Sequence, residues 1–229
     1  MTEREERSPE MVEGPYFSTG GQHRADLKED RQGRNLELTI AVVDAASDEP
    51  LSGIDVEIWH CDATGHYSGY EEDPDAPPSD ISNGQVATNE DTFLRGRLTT
   101  DADGSVTFKT IVPGWYALRT PHIHLKFIED GVCNTTTQLF FPEALIQELL
   151  QTTDYARSGE QDTFNRTDPV IATTPGDIES LWIDLTDGSD GLVGCATIAI
   201  VPGTANDPIY PPVGRIPPLG GRPHDKPIR

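Results

Sequence analysis

Apolar and polar positions alternate with a period of two along much of the chain. Leu36, Leu38, Ile40 and Val42 occupy every second position, and after a turn over 49–53 Ile54, Val56 and Ile58 repeat the pattern. Successive side chains on a strand point to opposite faces, so each run predicts a strand with one buried face. The stretch "LRGRLTTDADGSVTFKTI" reads as a hairpin turning at Asp101-Ala102-Asp103-Gly104. Pro113-Gly114 then breaks the chain ahead of "RTPHIHLKF", in which Ile123, Leu125 and Phe127 share one face, and "TTTQLFF" follows as a further strand. A helical period occurs once: Pro142 opens it, and Leu145, Ile146, Leu149 and Leu150 form its stripe. Late strands over 178–185 and 193–201 bring the count to seven or eight. Short strands at regular spacing predict an all-β fold, a β-sandwich of about eight strands with one short peripheral helix.

The flanks lack this alternation. Residues 1–35 are charged and glycine-bearing, and predict an extended N-terminal arm whose one ordered contact is "VEGPYFSTG". Residues 202–229 are proline-rich and predict an extended C-terminal tail lying on the body or on a partner. The sandwich is thereby placed at 36–201, a length that supports one domain with a sizeable core. Within it, "EEDPDAPPSDISNGQ" at 71–85 reads as a long surface loop, of the kind that is usually functional or mobile.

Charge changes the picture of partners. Asp and Glu number 39 against 17 Lys and Arg, a formal charge of -22. Phosphate backbones need a basic footprint, so nucleic acid is excluded as a partner. Acidic excess with only four lysines fits a protein adapted to a salty cytosol, and equally an ordinary acidic soluble protein. No apolar run approaches the roughly 20 residues of a membrane span, and the charged start "MTEREERSPE" does not resemble a signal peptide, so the expected setting is cytoplasmic and off the membrane. Cys61, Cys133 and Cys195 lack CxxC spacing and are expected to be three buried thiols.

Candidate chemistry begins with His122 and His124. On a strand they project from one face, roughly 7 Å apart at the backbone, within reach of one metal ion. The alternative is a pair of half-exposed strand histidines without a further role; Arg119 and the Pro-Gly break beside them favour a ligand pair. A carboxylate would complete a ferrous or zinc site. Tyr67 and Tyr116 are the other candidates, and an unperturbed phenol titrates near 10, so only a strong Lewis acid such as ferric iron would hold both as phenolates at neutral pH.

"VEIWHCDATGHYSGY", "FLRGRLTTDADGSVTFKTIVPGWYALRTPHIHLKF", "TTQLFFPEA" and "VEGPYF" together resemble the core blocks of the intradiol ring-cleavage dioxygenases, nearest to the compact protocatechuate dioxygenase-like branch. The resemblance implies a non-haem Fe(III) site whose ligands are Tyr67, Tyr116, His122 and His124. It implies an enzyme that opens a catechol between its two hydroxylated carbons with O2 to give a cis,cis-muconate-type product. Tyr116 would leave the metal and take a substrate proton, Arg119 would face the bound ring, and Gln138 would lie near the ligands. Pro15 and Tyr16 would line the substrate pocket, and the arms together with family precedent imply a homo-oligomer.

Two departures bear on substrate. Leu118 stands where protocatechuate-type enzymes usually carry tryptophan, and the link from Tyr116 to His122 is shorter than theirs. No isolated basic residue offers itself to a substrate carboxylate, so a neutral or small substituted catechol is expected. Two other readings compete: a non-catalytic sandwich that binds iron or phenolic ligands, and a zinc or manganese site in which a carboxylate joins the two histidines.

Overall fold

The first apolar run becomes β1 (Asn35–Asp44) and the second β2 (Asp55–Trp59). They are followed by β3 (Arg95–Thr99), β4 (Ser105–Ile111), β5 (His122–Glu129) and β6 (Val132–Phe140). Helix α1 (Glu143–Leu149), a short α2 (Pro169–Thr173), β7 (Asp184–Gly188) and β8 (Gly191–Ile200) complete the order. This computed structural model describes residues 7–19, 21–78, 86–157, 159–176, 178–207 and 209.

The eight strands form two sheets, ordered β4-β1-β8-β7 and β3-β2-β5-β6. Every pairing is antiparallel except β1 with β8. Leu36, Leu38, Ile40 and Phe108 of one sheet and Val56, Ile58, Ile123, Leu125 and Phe127 of the other belong to one continuous buried cluster. The expected all-β sandwich is therefore the fold, and burial of these side chains at roughly 25 cal/mol per Å² of apolar surface is what holds the sheets together.

Four expectations are corrected. The segment over 95–111 is not a hairpin: β3 pairs with β2, while β4 pairs with β1 in the opposite sheet. Both arms alternate because both face the same core, and alternation cannot distinguish pairing within a sheet from crossing between sheets. Thr100 pins the crossing, donating to Leu51 O at 2.7 Å and accepting from Ile54 N at 2.9 Å. The strand expected over 178–185 begins only at Asp184, because Glu179–Leu181 forms a 3-10 turn. Helix α2 was not anticipated; Asp168 caps it, accepting from Val170 N and Ile171 N. Of the cysteines only Cys61 is buried, while Cys133 is half-buried and Cys195 exposed.

The N-terminal arm is tied down along its length rather than at one point. Met11 N donates to Thr136 O at 2.8 Å, Arg97 N to Gln22 O at 2.9 Å, and Leu27 N to Lys109 O at 2.9 Å. The arm thus crosses from β6 over β3 to β4, and covers the face of β5 that carries the histidines. After β8 the chain folds back beside the β5–β6 turn, where Asn206 N donates to Cys133 O at 2.9 Å. Residues 208 and 210–229 of the expected tail, and 79–85 of the expected loop, lie outside the described residues.

Candidate metal centre

Register across three strands builds one wall of the site. His124 of β5 stands opposite Trp59 of β2 and Gln138 of β6, and directly opposed residues share a face. The Trp59 indole stacks on the His124 ring at 4.8 Å with 7° between planes, which fixes the imidazole orientation. His122 and His124 are both 1% exposed, so they are not half-exposed surface histidines.

Loops supply the tyrosines. Asp62 Oδ1 accepts from Thr64 N at 2.9 Å and His66 N at 3.0 Å, closing the tight turn that presents Tyr67. Gly114 N donates to Asp62 O at 3.0 Å, and a Cβ at Gly114 would lie 2.3 Å from Ala63 O. Only glycine lets the segment carrying Tyr116 approach the Tyr67 turn this closely. Past Tyr116 the chain reverses through Leu118, which takes a left-handed φ of 70°, and Arg119 N returns to Tyr116 O at 2.9 Å. Non-glycine residues held in that conformation cluster at functional sites.

The four rings meet. Centroids lie 5.6 Å apart for Tyr67 and Tyr116, 5.6 Å for Tyr116 and His122, 4.7 Å for His122 and His124, and 6.4 Å for Tyr67 and His124. His122 Nδ1 donates to Thr120 O at 2.7 Å, which leaves the Nε2 lone pair facing His124 Nε2 at 3.0 Å. Burial, and then the positive charge of Arg119, hold both imidazoles well below their usual range, so both are neutral. Burial also raises both phenols, Tyr116 to about 12 and Tyr67 well above the usual value of 10. Tyr67 Oη and His124 Nδ1 are buried without a hydrogen-bond partner. An unsatisfied buried polar atom costs about 1–3 kcal/mol and calls for an explanation. Neutral imidazoles and desolvated phenols suit a compact, highly charged cation, which would lower the phenol pKa values and occupy the orphaned oxygen. Among the described residues no cluster of three His, Cys, Asp or Glu forms, so no carboxylate joins the histidine pair.

Arg119 lies against this group. Its Nε donates to Asp168 Oδ2 at 2.9 Å, Nη1 to His122 Nε2 at 3.2 Å, and Nη2 to Gln138 Oε1. Gln138 in turn donates through Nε2 to Val12 O of the arm at 2.9 Å. Burial works against the guanidinium charge, yet Asp168 and the two tyrosines outweigh it and raise the Arg119 pKa. Asp168, 0% exposed, was missed by sequence reasoning. "TDPV" signals a helix cap, but nothing in it signals a reach back to Arg119.

The arm closes the opposite side. Gly14 has a φ of 81°, and a Cβ there would lie 2.9 Å from His124 Cε1. Pro15 is buried, and Tyr16 stacks on Tyr67 at 4.4 Å. Glu13 anchors the segment through an ion pair to Lys126 at 2.9 Å, and Lys126 Nζ sits 3.6 Å above the Phe17 ring. Buried Arg95 clamps arm to loop, donating to Tyr16 O at 2.8 Å, Ser68 Oγ at 2.7 Å and Ser68 O at 2.9 Å. Gly14→Ala is expected to destabilise the protein by about 2 kcal/mol, from left-handed strain plus the clash on His124. Urea unfolding measures this, and unchanged stability would place the arm away from His124.

A family model for the dioxygenases matches residues 12–174, which include both tyrosines, both histidines and Arg119. The chain belongs to the intradiol ring-cleavage dioxygenases. An intradiol ring-cleavage dioxygenase from Tetranychus urticae superposes with a TM-score of 0.79 at 32% identity, covering 88% of this chain and 97% of that one. The dioxygenase domain of a carbohydrate-binding fusion protein from a Streptomyces species gives 0.61 at 28%, covering 86% and 99%. A chlorocatechol 1,2-dioxygenase from Rhodococcus opacus is 26% identical over 155 residues, 57% of this chain and 54% of that protein. The chain spans about half the length of the curated relatives it matches.

The remaining histidines of this intradiol family member divide by burial. His66 is exposed and bonded to Thr64, and His23 is exposed against Arg97; His224 lies outside the described residues. His60 is fully buried, donating from Nδ1 to Cys61 O at 2.8 Å and accepting at Nε2 from Thr110 Oγ1 at 2.7 Å. Burial lowers its pKa from 6.5 to about 4. The unfolded chain takes up this proton near pH 6.5 and the folded protein only near 4, so the stability is fully present above that range and lost as pH falls through it. About 3 kcal/mol is at stake for His60. Urea titrations of iron-free protein at pH 7 and 4.5 are expected to show the loss, with a shallower fall in His60→Asn. Equal slopes would contradict it.

Proposed function

We propose that the protein is an iron(III)-dependent intradiol dioxygenase that opens a catecholic ring between its two hydroxylated carbons and inserts both atoms of O2, giving a cis,cis-muconate-type product. Convergence of Tyr67, Tyr116, His122 and His124 around the unpartnered Tyr67 Oη carries this reading. Those four side chains would hold ferric iron, which would supply the Lewis-acid chemistry that makes a bound catechol reactive toward O2.

The protein's own groups divide the remaining work. Tyr116, while it is a phenolate, could accept a hydroxyl proton from incoming catechol at Oη, and burial, which raises the pKa of its phenol, favours that transfer. Arg119 stays charged and planar, and its guanidinium is placed to stabilise negative charge developing on the ring. Asp168 and Gln138 hold Arg119 in orientation, and Gln138 couples it to the arm. Trp59 and the arm exclude water from the histidines. Oxidation of the ring supplies every electron that O2 takes up, so no separate reductant enters.

Oxygen uptake by iron-loaded protein with catechol tests the reading. One O2 consumed per ring and a dicarboxylic cis,cis product are expected. No uptake with any dihydroxylated aromatic would leave a binding protein in its place, and cleavage outside the diol would overturn the proposed chemistry.

A further inference from the structure

Three side chains that follow α1 in sequence brace the loop carrying Tyr116. Tyr155 Oη, buried, donates to Val112 O at 2.6 Å, just ahead of the Pro113-Gly114 break. Asp162 Oδ1 accepts from Leu118 N at 3.2 Å, just past Tyr116. Between these two contacts Arg157 Nη1 donates to Trp115 O at 2.7 Å. The same nitrogen donates to Thr64 O at 3.0 Å, in the turn that presents Tyr67. One guanidinium nitrogen thus joins the two backbones from which the phenols project.

The rest of the Arg157 side chain is held as closely. Its Nε donates to Asp75 Oδ1 at 3.2 Å, and Nη2 reaches the same oxygen. The guanidinium carbon lies 3.6 Å from the centroid of the Trp115 ring. Ala117 N donates to Pro74 O at 2.8 Å, so the segment bearing Asp75 is itself tied to the Tyr116 loop. Gly65 has a φ of 93°, and a Cβ there would lie 2.4 Å from Trp115 O and 2.5 Å from Arg157 Nη1. A surface ion pair with Asp75 would explain the charge of Arg157, but its side chain is only 8% exposed and spends a nitrogen on carbonyls of two separate loops.

Resting on the ferric catechol reading above, we infer that Arg157 is a positioning residue for both phenols: it fixes the separation of the Tyr67 and Tyr116 backbones, so that proton transfer moves the Tyr116 ring and not its loop. A planar fork can bridge two carbonyls, face a carboxylate and lie on an indole at once. An ammonium cannot.

Arg157→Lys therefore keeps the charge facing Asp75 and loses the bridge. At one iron per chain its tyrosinate band is expected to shift and weaken, and kcat to fall by roughly 10- to 100-fold, the scale for groups that orient ligands, with KM little changed. Gly114 N, which donates to Asp62 O across the same two loops, gives a readout in iron-free protein: its hydrogen exchange should quicken by roughly tenfold. Asp75→Asn, which loosens the guanidinium from its other side, should move band and exchange in the same direction by less. Lower stability in urea with band, kcat and Gly114 exchange all as in the wild type would reduce Arg157 to a structural residue and overturn the assignment. Should Arg157→Lys fail to fold, an unmoved band and unmoved exchange in Asp75→Asn overturn it instead. A wild-type protein that shows no band and opens no ring counts against the ferric reading, and Gly114 exchange still decides the role of Arg157.

Discussion

His124→Ala is expected to lower iron affinity by roughly 100-fold or more, since changing only the groups that orient a ligand already costs 10- to 100-fold. The substitution also removes the ring that Trp59 stacks on and that Gly14 abuts, so loss of metal must be separated from loss of packing. Tyr67→Phe makes the separation. It deletes only the unpartnered Oη and keeps the ring against Tyr16 and Tyr116. Iron per chain after dialysis against a chelator is therefore expected to fall in both variants, while unfolding in urea changes little for Tyr67→Phe. Full iron retention in Tyr67→Phe would remove that tyrosine from the ligand set.

Arg119→Ala is expected to act on stability and rate together while leaving the iron ligands in place. Asp168 would keep its bonds from Thr120 N, Val170 N and Ile171 N but lose its buried cation. Removing one partner of a buried ion pair typically costs 3–5 kcal/mol. Pairing the change with Asp168→Asn should recover much of that stability, because the stranded charge is gone. The rate should not recover, since loss of one preorganised group at the reacting centre costs roughly 100- to 1000-fold in kcat. Urea unfolding and oxygen uptake of the two single variants and the double variant measure both effects. Retained kcat in Arg119→Ala would remove the guanidinium from the chemistry.

What the chain discloses by itself is set by the range of the interactions involved. Period-two alternation in β1, β2 and β5 is local, and so is the placement of His122 and His124 on one face. The resemblance in the GxYS, PGxY and RxxHxH blocks extended this to Tyr67, Tyr116 and Arg119. Alternation is blind to which sheet a strand joins, hence the expected hairpin that proved to be a crossing between β3 and β4. Side-chain pairs that close the site span long separations: 49 residues for Arg119 and Asp168, 113 for Lys126 and Glu13, and 56 for Tyr16 and Glu72. A lone Asp before Pro or a Glu in an acidic loop carries no sign of such a partner. In a chain with 39 acidic residues, composition hides the few that matter.

The absorption spectrum of the protein at one iron per chain tests the central claim most directly. Tyrosinate coordinated to ferric iron absorbs strongly in the visible, so the expected result is a red protein whose band shifts when catechol is added under nitrogen and weakens in Tyr67→Phe. A colourless protein at full iron occupancy would contradict the assignment of Tyr67 and Tyr116 as ligands.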